Sequence, residues 1–210
     1  MSLGIGFPLV DPTVPSPFFL TYAAMQKPDS YSLFVPQWAH GRFNGSIADA
    51  RNEITRQAID AGCEYLWMID TDQTYPEDTL PKLLAHNVDI CGASVHSRWE
   101  PYRTFMLRGE PGKYLHVGDE VAYSGDLVEV DATGTGCLLI KTSVFEKIPY
   151  PWFEFSRTED GKPVGEDINF CSKARKAGIK VHVDSSIEVG HLAVINIGRW
   201  THELWKAANK

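Results

Sequence analysis

The sequence has no apolar run long enough to cross a lipid bilayer, and its start, MSLGIGFPLV, has no basic segment ahead of an apolar core. We therefore expect neither a transmembrane segment nor a secretory signal. Basic residues are also scarce, with 20 Lys and Arg against 27 Asp and Glu, and the formal net charge is −7. This balance argues against a nucleic-acid or anionic-membrane partner, because such proteins present a basic face. A phosphate ligand stays compatible with it, since a bound metal ion can supply positive charge locally.

Cysteines are few, and the four that occur are scattered at positions 63, 91, 137 and 171 with no C-x-x-C spacing. This pattern predicts free, buried thiols in a reducing compartment, so we expect a cytoplasmic protein. Internal repeats and low-complexity segments are absent as well. The 210 residues, 43% hydrophobic and 22% charged, are expected to form a single globular domain over 1–210.

Apolar runs and helical periodicity predict the secondary structure. Short apolar runs predict strands at 3–9, 31–35, 65–69, 88–95, 102–107, 128–130, 137–140, 180–183 and 188–191. Capping residues, helical spacing and terminal glycines predict helices at 18–25, 47–61, 79–86, 142–147 and 166–177, and the tail at 199–210 has an amphipathic pattern. Loops are expected at 10–12 and 41–45, and a hairpin or long loop at 109–125. The alternation predicts an α/β fold of Rossmann-like type, with a mostly parallel central sheet flanked by helices and a small antiparallel portion.

The strand predicted at 65–69 ends on two carboxylates, Asp70 and Asp72. Residues two apart on an extended chain point the same way, so both side chains can face one cation. Ligands of open α/β sheets bind at the carboxyl ends of the strands. Divalent cations such as Mg²⁺ and Mn²⁺ prefer oxygen ligands there and bring substrate phosphates with them. The pair therefore indicates a metal and phosphate site, or, as the simpler alternative, a solvated turn.

A second acidic pair, Glu166 and Asp167, opens the helix predicted at 166–177. The helix macrodipole stabilises charge in a first turn, so we expect a lowered pKa and an ionised Asp167. One interpretation is a helix cap, and the other is a general base that accepts a proton from an attacking hydroxyl.

His191 follows the apolar stretch 187–190. A single histidine near a strand is commonly a structural residue. Combined with the two aspartates, however, its imidazole would complete an open divalent site and favour Mn²⁺ over Mg²⁺.

The order of these motifs resembles a known family. The motifs are Ala50-Arg51-Asn52, Asp70-Thr71-Asp72, Gly134-Thr135-Gly136, Glu166-Asp167 and His191. Together they resemble the nucleotide-sugar glycosyltransferases of the A-type fold and are similar to family 2, over roughly residues 3–192. The resemblance implies a metal-dependent enzyme, with Mn²⁺ or Mg²⁺, that moves a sugar from a UDP- or GDP-sugar to the hydroxyl of a saccharide or other acceptor.

The resemblance also implies roles for the acidic residues. Asp72 would bind the metal, and Asp70 would contact the ribose or the metal through water. His191 would be a late metal ligand. Asp167 would be the base of an inverting transfer, and Glu166 beside it would be a second catalytic residue.

Donor contacts are implied at Pro8, Asp11, Arg51 and Arg98, with Trp99 beside Arg98. On this basis residues 1–95 would form a nucleotide-binding half, 96–192 an acceptor and catalytic half, and 193–210 a C-terminal tail.

Three aromatic residues, Trp152, Phe153 and Phe155, lie at the start of a polar run at 154–165. They would stack on an acceptor sugar or, equally well, pack in the core. The polar run is expected to be a mobile loop that closes over the donor and excludes water.

Two other functions fit parts of the pattern. Asp70-Thr71-Asp72-Gln73-Thr74 also matches the nucleophile motif of haloacid-dehalogenase phosphatases, with Asp70 as the nucleophile, although those enzymes carry it on their first strand. A non-catalytic module that binds sugar nucleotides or carbohydrates would keep the pocket and need no base.

Overall fold

The computed structural model describes residues 1–9, 11, 13–37 and 44–209. The loops expected at 10–12 and 41–45 therefore lie partly outside the described residues. Within them the helices are α1 (Ser16–Ala24), α2 (Ile47–Asp60), α3 (Thr79–Ala85), α4 (Asp119–Ala122), α5 (Ser143–Lys147), α6 (Glu166–Lys176) and α7 (Arg199–Ala208).

The strands of the main sheet are β1 (Leu3–Gly6), β2 (Ser32–Phe34), β3 (Tyr65–Ile69), β4 (Gln73–Thr74), β5 (Ile90–Val95), β8 (Leu127–Val130), β10 (Cys137–Lys141) and β13 (Val181–His191). Smaller sheets contain β6 (Met106–Arg108), β7 (Leu115–His116), β9 (Ala132–Thr133), β11 (Ser156–Arg157) and β12 (Pro163–Val164).

The main sheet has the order β2-β1-β3-β10-β5-β13-β4, and β8 also pairs with β13. Strands β1, β2, β3, β5 and β13 run in one direction, while β10 lies antiparallel between β3 and β5. The predicted α/β class with a mostly parallel sheet is confirmed. Its antiparallel portion includes a strand at the centre of the sheet.

Strand β3 is buried along its whole length because helices cover both faces of the sheet. Trp67 and Ile69 belong to a core shared with α1 and α3, whereas Leu66 and Met68 belong to a core shared with α2 and α6. This double burial explains the continuous apolar run, and it holds the end of β3 in a fixed position.

Several segments differ from the prediction. The stretch 109–125, expected to be a hairpin or long loop, also contains the short helix α4. The polar run at 154–165 contains a hairpin formed by β11 and β12. The extended pieces predicted at 180–183 and 188–191 are one strand, β13, which stays paired with β5 across an irregularity between Asp184 and Glu188. In the described part of the chain, no helix has the length and apolar character needed to cross a membrane.

Candidate active site

A cleft of about 520 Å³ lies at the edge of the sheet where β1, β3 and β5 end. Because β10 runs the other way, its first residues reach the same edge, and so do the start of α6 and the end of β13. Of the residues proposed from the sequence, those that line the cleft are Pro8, Asp11, Arg51, Asp70, Asp72, Arg98, Trp99, Glu166, Asp167 and His191. One edge therefore brings together residues from six separate parts of the chain.

The guanidinium of Arg51 links two of the acidic motifs. One of its terminal nitrogens donates to both carboxylate oxygens of Asp70, at 2.9 and 3.1 Å, and the other donates to Glu166. The Arg51 side chain is only 5% exposed. A capping box between Ser46 and Asp49 sets the start of α2 and so the position of Arg51 one turn later.

Asp72 and His191 form the second part of the site. The imidazole Nε2 lies 3.5 Å from Asp72 Oδ2, and Arg98 Nη1 forms an ion pair with the same oxygen at 3.0 Å. Nδ1 of His191 donates to the carbonyl oxygen of His96 at 2.8 Å, which orients Nε2 toward Asp72. The hydrogen bond with His191 lowers the pKa of Asp72 below its ordinary value, and Arg98 adds to this effect. Burial lowers the pKa of His191, but the hydrogen bonds with Asp72 and His96 outweigh it and raise the pKa.

The short pairing of β4 with β13 explains how Asp72 and His191 meet. His191 is in register with Gln73, and the Leu192 amide donates to the Asp72 carbonyl oxygen at 2.8 Å. The two strands approach so closely that a Cβ on Gly190 would lie 2.4 Å from Thr74 Oγ1. A two-residue strand leaves almost no trace in sequence periodicity, and β4 was not predicted.

Glycines let the backbone approach the acidic residues. A Cβ on Gly136 would lie 2.9 Å from Asp70 Oδ2, and a Cβ on Gly165 would lie 2.6 Å from Asp167 Oδ1. Tyr75, which sequence analysis missed, places its buried hydroxyl 2.7 Å from the Asp70 carbonyl oxygen and 2.8 Å from that of Gly136. A tyrosine a few residues after an acidic motif is common in protein sequences, so it does not predict that the hydroxyl binds these two carbonyl oxygens.

The expectation of a lowered pKa for Asp167 is wrong. Burial and the neighbouring Glu166 charge raise the pKa of Asp167 to about 6, and they outweigh the opposing effects of Arg51 and the Ile168 amide. That amide donates to Asp167 Oδ1 at 2.7 Å, as a first-turn interaction should. Burial is the larger cause of the rise, and the Glu166 charge adds to it because one guanidinium faces the three carboxylates of Asp70, Glu166 and Asp167.

A divalent cation is chemically compatible with this site. In the part of the chain that the structure describes, no group of three or more His, Cys, Asp or Glu side chains is arranged to hold a metal ion. Asp72 and an oriented His191 nevertheless supply a carboxylate and an imidazole, which suit Mn²⁺ when substrate oxygens complete the coordination. Asp70, also predicted as a ligand, has both oxygens engaged by Arg51.

The aromatic residues proposed for the acceptor do not line the cleft. Trp152 donates its indole N–H to the Phe145 carbonyl oxygen and packs edge-on against the Phe145 ring. Phe153 is buried and stacks on Phe170, while Phe155 is exposed. Core packing, one of the two interpretations from the sequence, accounts for Trp152 and Phe153.

Searches with the sequence alone find no matching family model and no matching curated protein. Solved structures with a similar fold are found when the three-dimensional structures are compared. "Crystal Structure of A197 from STIV" matches with a TM-score of 0.63 and 18% identity, covering 92% of this chain and 87% of that one. GalNAc-T7, crystallised with UDP, GalNAc and Mn²⁺, matches with a TM-score of 0.61 and 12% identity, covering 93% and 44%.

S. aureus TarS 1–349 in complex with UDP-GlcNAc matches with a TM-score of 0.51 and 14% identity, covering 95% of this chain and 60% of that one. The chain thus spans 44% and 60% of the lengths of the GalNAc-T7 and TarS structures. These similarities confirm the predicted A-type glycosyltransferase fold. At such low identities they establish the fold alone.

Proposed function

We propose that the protein is a metal-dependent glycosyltransferase that moves a sugar from a nucleoside-diphosphate sugar to an acceptor hydroxyl. The observation that carries this proposal is the convergence of Asp72, His191 and Asp167 on one cleft of an A-type fold. A UDP-sugar is the preferred donor class, since UDP and UDP-GlcNAc are the ligands named for two similar structures.

Asp72 and His191 would hold the divalent cation. When bound, the cation would neutralise negative charge on the departing diphosphate, as a Lewis acid does. Arg98, which pairs with Asp72 and is 45% exposed, is a cationic side chain of the cleft that could also contact the diphosphate. Pro8 and Asp11, which follow β1 and line the cleft, would contact the nucleotide.

Asp167 would take the proton of the acceptor hydroxyl as that oxygen attacks the anomeric carbon from the face opposite the diphosphate. Such a displacement inverts the configuration of the sugar. A pKa of about 6 suits the task, because the carboxylate is mostly ionised at neutral pH and still basic enough to accept a proton. Its neighbour Glu166 is bound to Arg51 and is a positioning residue.

Arg51 would act on the donor indirectly. Its guanidinium joins the end of β3 to the start of α6 and so fixes Asp70 relative to the base. The sequence suggested a direct contact with the nucleotide, and the burial of Arg51 favours the positioning role instead. The ribose contact proposed for Asp70 stays compatible with its 25% exposure.

The phosphatase alternative has less support than the transferase. Its nucleophile, Asp70, accepts hydrogen bonds from Arg51 at both oxygens, and the motif follows the third strand of an A-type fold. Trapping with a phosphate mimic would test whether Asp70 forms a phosphoenzyme.

The proposed function is tested by ligand binding and by turnover. A bound nucleotide raises the melting temperature by mass action, so UDP or GDP should do so in the presence of Mn²⁺ and much less with a chelator. Asp72→Asn should abolish the metal-dependent part of this shift. Asp167→Asn should retain the metal-dependent shift and lose sugar transfer. A non-catalytic binding module, in contrast, would show no sugar transfer even in the unchanged chain. Absence of any metal-dependent nucleotide shift would refute the proposal.

A further inference from the structure

The chain after β13 carries a large exposed apolar surface. We call it the tail surface, and it consists of Val194, Ile195, Ile197, Trp200, Leu204 and Trp205. Each of these side chains is between 49% and 104% exposed, and no residue of α7 is buried. Contiguous apolar patches on a protein surface commonly mark a site of binding to another surface.

The residues of α7 are divided between two faces. Trp200 and Leu204 lie four residues apart on one face, with Trp205 at its border, whereas the charged and imidazole side chains lie on the other. That polar face holds Arg199, His202, Glu203 and Lys206. A helix of ten residues with this pattern can lie along an interface between water and a less polar phase, and is too short to span a membrane.

The charge of the chain is distributed unevenly. Residues 193–210 contain three basic residues and one acidic residue, a local charge of +2, so the rest of the chain carries −9. The net charge of −7 argues against binding to an anionic membrane only where the charge is spread evenly over the surface. Beside the tail surface, α7 carries Arg199, Lys206 and Glu203, and Glu203 pairs with Lys206 at 2.9 Å, so the local excess of positive charge is small.

We propose that the tail surface docks on an anionic phospholipid surface. Tryptophan rings favour the headgroup region, where an apolar ring and a polar N–H are both accommodated. Arg199 and Lys206 would lie near the lipid phosphates while Trp200 and Leu204 enter the acyl boundary.

The position of α7 relative to the cleft agrees with this docking. A groove between α7 and the loop after β5 is lined by Glu100 and Tyr102 on one side and by Arg199, Trp200, Glu203 and Leu204 on the other. Trp99, in the same loop, lines the cleft and is 79% exposed. Docking through α7 would therefore bring the mouth of the cleft toward the lipid surface.

Vesicle sedimentation with the full chain tests the proposal. The protein should bind vesicles of phosphatidylcholine mixed with phosphatidylglycerol and bind vesicles of phosphatidylcholine alone much more weakly. The double variant Trp200→Ala/Trp205→Ala should lower the apparent affinity by about tenfold or more. Arg199→Gln/Lys206→Gln should remove the preference for the anionic vesicles.

The matched control is Phe19→Ala/Leu20→Ala, which removes two apolar side chains of α1 that are 59% and 65% exposed. It should bind vesicles as the unchanged chain does, and all variants should keep the same melting temperature because none of the substituted side chains is buried.

Three results would overturn the proposal. They are equal binding to both kinds of vesicle, unchanged binding of the tryptophan variant, and a concentration-dependent dimer that the tryptophan substitutions abolish, which would make the tail surface a self-association site. Vesicle binding needs no catalysis, so its outcome is independent of the proposed transferase activity.

Discussion

At the scale of single residues, the charge balance around Arg51 determines the chemistry of the cleft. One buried guanidinium is shared by Asp70 and Glu166, and among the described residues Asp167 has no ion pair of its own. The resulting rise in the pKa of Asp167 is the opposite of what its place in a helix suggests. A first-turn position is visible in the sequence, whereas burial and the Glu166 charge become visible only in the fold.

The first prediction concerns the pH dependence of turnover. A base with a pKa of about 6 is protonated and inactive in acid, so kcat/KM should rise with pH and level off above an apparent pKa near 6. Asp167→Asn should lower kcat by on the order of 10²–10⁴ and abolish this acidic limb in the residual activity. If kcat/KM of the variant still falls in acid in the same way, the titrating group is a residue other than Asp167.

The second prediction concerns Gly165, the N-cap of α6. A Cβ there would lie 2.6 Å from Asp167 Oδ1, so Gly165→Ala should turn the carboxylate away from the Ile168 amide and lower kcat by roughly 10–100-fold. Gly118 is a matched control, because it caps α4 with a similar backbone conformation and has no atom within 4 Å of an added Cβ. Gly118→Ala should leave kcat unchanged, and equal activity of the two variants would contradict the positioning of Asp167.

At the level of secondary structure, a strand of only two residues, β4, fixes part of the geometry of the site. The two residues of β4 pair with the end of β13 and bring Asp72 to His191. The sequence identifies both residues as candidates, but the pairing that joins them spans more than 100 positions and depends on the path of β13 across the sheet. No local pattern contains that information.

The third prediction tests this pairing. A Cβ on Gly190 would lie 2.4 Å from Thr74 Oγ1, so Gly190→Ala should push β4 away from β13 and separate His191 from Asp72. We expect Mn²⁺-dependent nucleotide binding to weaken by about tenfold and unfolding stability to fall by about 1–3 kcal/mol.

Thr74→Ala provides the control for this experiment, because it removes the hydroxyl that the new methyl group would meet. The double variant Gly190→Ala/Thr74→Ala should recover most of the lost affinity, as measured by titration calorimetry with and without Mn²⁺. Failure of this rescue would show that the gap between β4 and β13 is unimportant for the metal site.

At the scale of the whole molecule, the sequence predicts the elements better than their arrangement. Apolar runs and helical spacing locate β3 and α2 almost to the residue. The direction of β10 is not predictable in this way. A strand buried on both faces has the same apolar sequence pattern whether its neighbours run parallel or antiparallel to it. The position of Trp152 is not predictable from the sequence either, since an aromatic ring can stack on a sugar or pack in the core.

The final prediction concerns the stability of the whole chain as a function of pH. The pKa of Asp167 rises from an ordinary 3.8 to about 6 on folding, so the folded state binds its proton more tightly than the unfolded state. The stabilisation is fully present below pH 3.8 and is lost as the pH rises through about 6, a change of about 3 kcal/mol. In metal-free buffer, Asp167→Asn should therefore be more stable than the unchanged chain at pH 8 and similar to it at about pH 4. Asp60→Asn, at the exposed end of α2, should show no such crossover in urea unfolding. If the two variants behave alike at every pH, the buried charge cluster around Arg51 does not destabilise the ionised form of Asp167.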